Sequence, residues 1–269
     1  MDKHLQFHGL WAVILGGSSG FGYAAAQKLA GHGMNVAVIY RENKSSEKAL
    51  KHSLKQIAET SSTQIRTYNI NALDGESRKS FINEFIAIAQ KGTVKLLLHS
   101  IARGNLKPLV VKDNIESHTT LSADDIQLTT YAMSTSLLDW TRELLTAGLF
   151  HEDARVTGLT SEGAHKYWDG YAAVSIAKSS LESLAKYMAV EFAPYGLKTN
   201  IIQAGVTETP SLKMIPGSDK LLEMGAKRNP LGRMTKPDDV AGVIYLLCTD
   251  ESFWINGSII HVDGGEHCR

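Results

Sequence analysis

Six apolar residues, Leu10-Trp11-Ala12-Val13-Ile14-Leu15, run straight into Gly16-Gly17-Ser18-Ser19-Gly20-Phe21-Gly22, and an alanine-rich stretch follows. Few folds admit that order. A short, wholly apolar run bounded by glycine reads as a strand buried on both faces, as in a parallel sheet covered by helices. Spaced glycines that lead directly from such a strand into a helix mark the start of a βαβ unit. Glycine permits positive φ and lets the backbone approach a pyrophosphate closely. The helix N-terminus offers free N–H groups and a partial positive charge to the phosphates. The pattern predicts dinucleotide binding by Gly16, Ser18, Ser19, Gly20 and Gly22. A tight strand-to-helix turn that holds nothing is the plainer alternative.

The same alternation continues along the chain. Strand patterns fall at residues 35–40, 64–70, 94–99, 154–160, 198–203 and 258–262. Helical patterns fall at 21–30, 45–60, 76–90, 124–149, 171–192 and 237–248. Apolar residues at 43 % and charged residues at 21 % fit a sizeable core. No linker, repeat or low-complexity stretch divides the chain. We expect one doubly wound α/β domain of Rossmann type over residues 1–269, around a parallel sheet of about seven strands.

Composition excludes several functions. The 28 basic and 28 acidic residues balance, so no basic face is expected for nucleic acid or an anionic membrane. No apolar run approaches the roughly 20 residues of a membrane span. Residues 1–6 lack the basic-then-apolar pattern of a signal peptide. Two cysteines, Cys248 and Cys268, are too few for a disulfide scaffold and lack metal-ligand spacing. A cytoplasmic protein without a metal is the expectation.

The end of the second strand selects the dinucleotide. An acidic residue there binds a ribose 2′-hydroxyl, whereas arginine accommodates a 2′-phosphate. The chain reads Tyr40-Arg41-Glu42-Asn43-Lys44-Ser45. Arg41, with Lys44 and Ser45 close by, predicts NADP(H) over NAD(H); Glu42 counts the other way unless it points to solvent.

A second constellation lies in Tyr171-Ala-Ala-Val-Ser-Ile-Ala-Lys178. Two helical turns place both side chains on one face, roughly 10 Å apart along the axis. Lysine leans toward the helix N-terminus, and a nearby ammonium lowers a phenol's pKa and makes it a better proton donor. The bland reading is an exposed Tyr and Lys on a surface helix.

The glycine turn and the Tyr171/Lys178 pair are followed in order by Arg228-Asn229-Pro230-Leu231-Gly232-Arg233, Pro237-Asp238-Asp239-Val240-Ala241, Gly257 and Val262-Asp263-Gly264-Gly265. Together they resemble the short-chain dehydrogenase/reductase family nearly from end to end. Two departures narrow the resemblance. Most members carry Tyr-x3-Lys, but position 175 is Ser; most carry Asn-Asn-Ala-Gly after the fourth strand, where this chain has His99-Ser100-Ile101-Ala102. Both are similar to the bacterial enoyl-acyl-carrier-protein reductases of fatty-acid synthesis, and the glycine turn is similar to their NADPH-dependent subclass. The commonest subclass has a second tyrosine ten residues before the catalytic one, where this chain has Ser161.

That resemblance implies roles. Tyr171 would hydrogen-bond the thioester carbonyl of a trans-2-enoyl chain, Lys178 would hold the nicotinamide ribose, and Ser161 would assist, with Thr160 offering the same chemistry. Asn69 would contact adenine, Ser100, Ile101 and Ala102 the riboses, and Thr207 and Thr209 the carboxamide. The segment at about 207–227, apolar yet punctuated by Pro216, Gly217 and Gly225, reads as a substrate lid, with an ordinary surface helix-loop as the alternative. Lys213, Lys220, Lys227 and Arg228, near that lid, are candidates to meet the negative surface of an acyl carrier protein, though solvated surface charge explains them equally well. By the resemblance, Trp254 with the last strand would join a homotetramer. Gly158, thirteen residues before Tyr171, stands where carbonyl-reducing members count their catalytic Ser, which weighs against ketone chemistry. Ser134 and Ser136 are candidates for a hydroxyl relay, and His99 is expected to be a hydrogen-bonded structural residue. Two alternatives stay open: a reductase of 3-oxoacyl thioesters, and a module that binds NADP(H) without turnover.

Overall fold

Residues 6–110 and 120–269 are described by a computed structural model. The residues read for a leader, 1–5, lie outside that range. Seven strands form one parallel sheet: β1 Trp11–Leu15, β2 Asn35–Tyr40, β3 Ile65–Asn69, β4 Val94–His99, β5 Phe150–Ser161, β6 Leu197–Ala204 and β7 Ile259–Val262. Their spatial order is β3-β2-β1-β4-β5-β6-β7. The chain winds outward from β1 to β3, then returns to pair β4 on the other side of β1. At that reversal the connections leave in opposite directions, so a crevice opens beyond the C-terminal ends of β1 and β4.

Successive strand residues face opposite sides, and β1 feeds both cores accordingly. Val13 and Leu15 join α3 (Gly75–Ile86), α5 (Ser136–Thr146) and α6 (Ala172–Glu191) through Phe81, Phe85, Trp140 and Leu181. Ala12 and Ile14 join α1 (Gly20–Ala30), α2 (Lys44–Ser61) and α9 (Pro237–Cys248) through Leu29, Leu54 and Ile244. This two-faced burial is why β1, β2 and β4 read as largely apolar runs.

Several elements depart from the sequence reading; α3, expected over residues 76–90, ends at Ile86. The helix expected over residues 124–149 is α4 (Ala123–Thr130), one π turn at Tyr131–Thr135, and α5. A π turn inserts a residue without breaking the apolar stripe, so periodicity does not reveal it. Strand β5 starts at Phe150, because the chain reverses at Gly148, with φ +67°. The helix of the Tyr/Lys pair starts one residue later than expected. Tyr171 is its N-cap, and its carbonyl accepts the Ser175 N–H at 2.9 Å. Between β6 and α9 lie two short helices, α7 (Pro210–Lys213) and α8 (Ser218–Arg228). No described helix is long and apolar enough to cross a membrane.

Candidate active site

A cavity of about 860 Å³ opens at the crevice, and the glycine turn forms its floor. Glycine is required there for space. A Cβ on Gly16 (φ +81°) would lie 2.6 Å from the Ser100 carbonyl oxygen, and one on Gly22 would lie 2.4 Å from that of Gly16. Gly17, outside the predicted ligand set, is crowded by a side chain instead, since a Cβ would meet Val38 Cγ1 at 2.5 Å. The turn can therefore bring bare backbone to a ligand.

The helix behind it is left open. α2 is capped by Asn43, whose side chain accepts from the Ser45 and Ser46 N–H groups, and α3 by Asp74. Ser19, the N-cap of α1, makes no side-chain cap hydrogen bond. The first-turn amides of α1 and the Ser18 and Ser19 hydroxyls thus face the cavity as anion donors. These residues fit the pyrophosphate of a nicotinamide dinucleotide.

Ile39, Tyr40, Arg41, Ile70 and Asn71 line the adenosine side. Arg41 is exposed and, among the described residues, makes no ion pair, while Glu42 does not line the cavity. Lys44 and Ser45 stand outside the lining as well, in the first turn of α2. Asn69 is not a lining residue. Its amide exchanges two hydrogen bonds with the Glu42 backbone, at 2.9 and 3.0 Å, and so braces the β2–α2 loop.

On the nicotinamide side the wall includes Ser100, Ile101, Ala102, Ser161, Tyr171, Lys178, Thr207 and Thr209. Packing of α6 on the π turn, through Val174 and Ala177 against Ala132 and Met133, fixes the end that carries Tyr171. The Tyr171 hydroxyl lies 3.3 Å from Ser161 Oγ. Lys178 is buried, and its ammonium donates to the Leu159 carbonyl at 2.7 Å. Thr160 also lines the cavity, but its hydroxyl donates to Glu182 at 2.6 Å. Thr207 donates to the Gly205 carbonyl, and Thr209 caps α7 by accepting from Leu212 N–H.

The electrostatics correct one expectation. Burial pushes the Tyr171 phenol above its ordinary value, the Ser161 hydrogen bond opposes this, and the lysine does not pull it down. Desolvation is the larger of the two causes, and the lysine ammonium is engaged with the Leu159 carbonyl oxygen instead. Lys178 itself is lowered to about 8 by burial, against which the Glu182 charge works. His99 is structural as expected. Its Nε2 lies 2.9 Å from Ser136 Oγ, and burial, then the Lys178 charge, holds it neutral with a pKa of about 3. Ser136 is thereby occupied, and Ser134 Oγ is buried without a described partner.

Gly158 needs a second correction. It lies inside β5, where a Cβ would meet Ile201 and Leu181 at 3.0 and 3.1 Å. A serine there would face the core, so its absence says nothing about ketone chemistry. The place beside the Tyr171 hydroxyl is taken by Ser161, because the link from β5 to Tyr171 is short.

Above the cavity, Leu212, Ile215, Leu221 and Met224 of the 207–227 segment supply apolar wall. Contacts that no sequence signal indicated hold this segment down. The Trp168 indole N–H donates to the Pro216 carbonyl at 2.9 Å. Arg228 Nη2 donates to both Glu162 oxygens, at 2.8 and 2.9 Å. Glu162, partly exposed, and the buried Glu266 also line the cavity. Arg228 is therefore occupied internally, while Lys213 pairs with Glu208 and Lys227 with Glu223. Lys220 alone of the four expected carrier contacts has no described ion pair. Tyr167 is 82 % exposed, as a loop tyrosine, and no described group of His, Cys, Asp and Glu could hold a metal.

Comparison with known proteins agrees with this geometry. The family model described as enoyl-(acyl carrier protein) reductase matches residues 16–267. The enoyl-[acyl-carrier-protein] reductase [NADH] of Aquifex aeolicus is 30 % identical over 250 residues, 91 % of this chain and 86 % of the relative. Its crystal structure superposes with a TM-score of 0.81 at 26 % identity, covering 98 % of both chains. A Bacillus cereus enoyl-acyl carrier protein reductase, crystallised with NADP+ and an indole naphthyridinone, shares the fold at 22 % identity, with a TM-score of 0.83 and 98 % of both chains covered. With its glycine turn, its Tyr171/Lys178 pair and a match that spans almost every residue, the chain belongs to the enoyl-(acyl carrier protein) reductase family of short-chain dehydrogenases/reductases.

Proposed function

We propose that the protein reduces the trans-2 double bond of enoyl thioesters carried on acyl carrier protein, with NADPH as reductant. The observation that carries this reading is the placement of Tyr171, Ser161 and Lys178 on one wall of a cavity floored by the glycine turn. The apolar side chains of the 207–227 segment suit an acyl chain, and their tethers make that segment a lid. A nicotinamide in that cavity supplies the hydride that the β-carbon receives. Charge then develops on the thioester oxygen. The Tyr171 hydroxyl donates its hydrogen bond to that oxygen, and stabilisation of an enolate is largely a matter of such preorganised donors. Lys178 keeps positive charge beneath the phenol and offers N–H donors to the ribose hydroxyls. Ser161 orients the phenol and limits the rise in its pKa.

Arg41 supports NADPH, since it is the cation that lines the adenosine side while Glu42 stays out of the lining. The named relatives divide, one being an NADH enzyme and another crystallised with NADP+. The exposed Tyr187, Val190, Tyr195 and Trp254, the last 90 % exposed, support assembly into a homotetramer.

One observation favours a second reading, the reduction of 3-oxoacyl thioesters. Ser161 Oγ pairs with the Tyr171 hydroxyl, and two convergent hydroxyls also suit a ketone oxygen. The deciding experiment mixes the protein with NADPH and, separately, crotonyl and acetoacetyl thioesters, and follows the absorbance of the reduced cofactor. Consumption with crotonyl thioester is expected. Consumption with acetoacetyl thioester alone selects the second reading, and cofactor binding without consumption selects a non-catalytic module.

A further inference from the structure

The last three residues of β5 each hold one residue of the Tyr171–Glu182 stretch. The Leu159 carbonyl accepts from Lys178, the Thr160 hydroxyl donates to Glu182, and the Ser161 hydroxyl meets Tyr171. Positions 171, 178 and 182 form one helical stripe, at intervals of seven and four. Two members of that stripe belong to the proposed chemistry. Glu182 does not, and it is an expensive residue to bury.

Its side chain is only 7 % exposed. Both oxygens are engaged: Oε1 accepts from Thr160 at 2.6 Å, and Oε2 lies 2.9 Å from His165 Nε2. Burying a carboxylate is costly unless it is hydrogen-bonded and compensated by charge. The compensating charge lies one turn back on the same helix face, in the buried Lys178 ammonium. That ammonium has the same difficulty, since the Leu159 carbonyl is a neutral partner.

We propose that Glu182 is a positioning residue for Lys178: fixed by Thr160 and His165, its carboxylate is the counter-charge that keeps the buried ammonium protonated at the pH of turnover. The other titratable groups around Lys178 do not serve. His99, on β4, is neutral and responds to the lysine charge. Tyr171, on the cavity side, is a neutral phenol. His165, in the turn after β5, contacts the carboxylate rather than the ammonium. Glu162 is spent on Arg228 and Lys166. Of the causes that move Lys178, the Glu182 charge is the one that favours the ammonium. Thr160 acquires a purpose as well, since its hydroxyl holds Oε1 of that carboxylate.

The inference rests on the reading of Lys178 as the charged partner of the site, so its test reads that proton directly and needs no substrate. The full-length protein is labelled with lysine carbon-13-enriched at Cε, the Lys178 signal is assigned by its loss in Lys178→Met, and its midpoint is followed against pH. In Glu182→Gln the midpoint falls by about one pH unit or more, the scale on which a close opposite charge moves a titration. Glu182→Asp, which keeps the charge, restores most of that loss. His165→Lys, an exposed substitution that does not threaten folding, sets a permanent cation against the same carboxylate and lowers the midpoint in the same direction. The alkaline limb of kcat/KM with crotonyl thioester moves with the NMR midpoint. Equal midpoints in wild type, Glu182→Gln and His165→Lys would overturn the assignment, whatever the substrate proves to be. Equal midpoints with a lowered melting temperature would reduce Glu182 to a structural residue.

Discussion

The Tyr171 hydroxyl lies 3.3 Å from the Ser161 hydroxyl, although the two residues belong to different elements and are separated by ten positions. Ser161 ends β5 and Tyr171 caps α6, so the distance between them is fixed by the short link and by α6 resting on the π turn. Gly163, within that link, is forced to be small, because a Cβ there would lie 2.5 Å from the tyrosine ring. A phenol so confined points one way, and from this the expected behaviour of several variants follows.

Tyr171→Phe removes the donor to the developing oxygen and keeps the ring. Turnover should fall about 100-fold or more, the usual contribution of a positioned general acid, while the NADPH dissociation constant changes little. Steady-state rates and fluorescence titration check this. Full activity in the variant would remove Tyr171 from the chemistry.

Ser161→Ala takes away the hydrogen bond that limits the rise in the Tyr171 pKa. A neutral hydrogen bond is worth about 1 kcal/mol net, so kcat should fall roughly five-fold. Tyrosinate absorbance, read as a difference against Tyr171→Phe, should titrate at higher pH than in wild type. An unshifted titration would mean that Ser161 does not act on the phenol.

Arg41→Ala tests the choice of dinucleotide. A hydrogen bond to a charged group contributes about 1.5–3 kcal/mol, so NADPH affinity should weaken about 10- to 100-fold. NADH affinity should hardly change. An equal loss for both cofactors would show that Arg41 supports the loop rather than reads a phosphate.

Lys178 titrates near 8 because burial disfavours its charge. Below that pH the ammonium is intact, and above it the charge is lost, so activity and NADPH affinity should fall as pH rises through about 8. An unperturbed lysine keeps its charge to about pH 10.4. A profile of kcat/KM and Kd that stays flat to pH 10 would contradict the burial assigned to this residue.

Arg228→Gln releases α8 from Glu162. The pair is partly exposed and worth about 0–1 kcal/mol, so the melting temperature should hardly move. KM should rise several-fold, and proteolysis within residues 218–228 should accelerate. Unchanged cleavage would show that Trp168 holds the segment alone.

Much of this was legible in one dimension. A parallel sheet covered on both faces imposes apolar strands, and a pyrophosphate turn imposes glycines at fixed spacing, so β1, β2, β4 and α9 could be bounded within a residue. Charge accounting was not legible. The Arg228–Glu162 pair spans 66 positions, and the Thr160–Glu182 bond joins a strand to a helix 22 residues on. Neither pattern has a period.

The sequence by itself determined the fold, the dinucleotide turn and the two side chains on which catalysis is expected to depend. Each of these follows from local rules: strand and helix periods, glycine φ and the reach of two helical turns. Tertiary structure alone decided how those side chains titrate and which neighbour completes them. It placed Ser161 rather than Gly158 beside the phenol, turned Asn69 onto the β2–α2 loop, and set burial against the Ser161 hydrogen bond in the titration of Tyr171. Desolvation depends on everything packed around a group, and most of what packs around Tyr171 and Lys178 comes from distant parts of the chain.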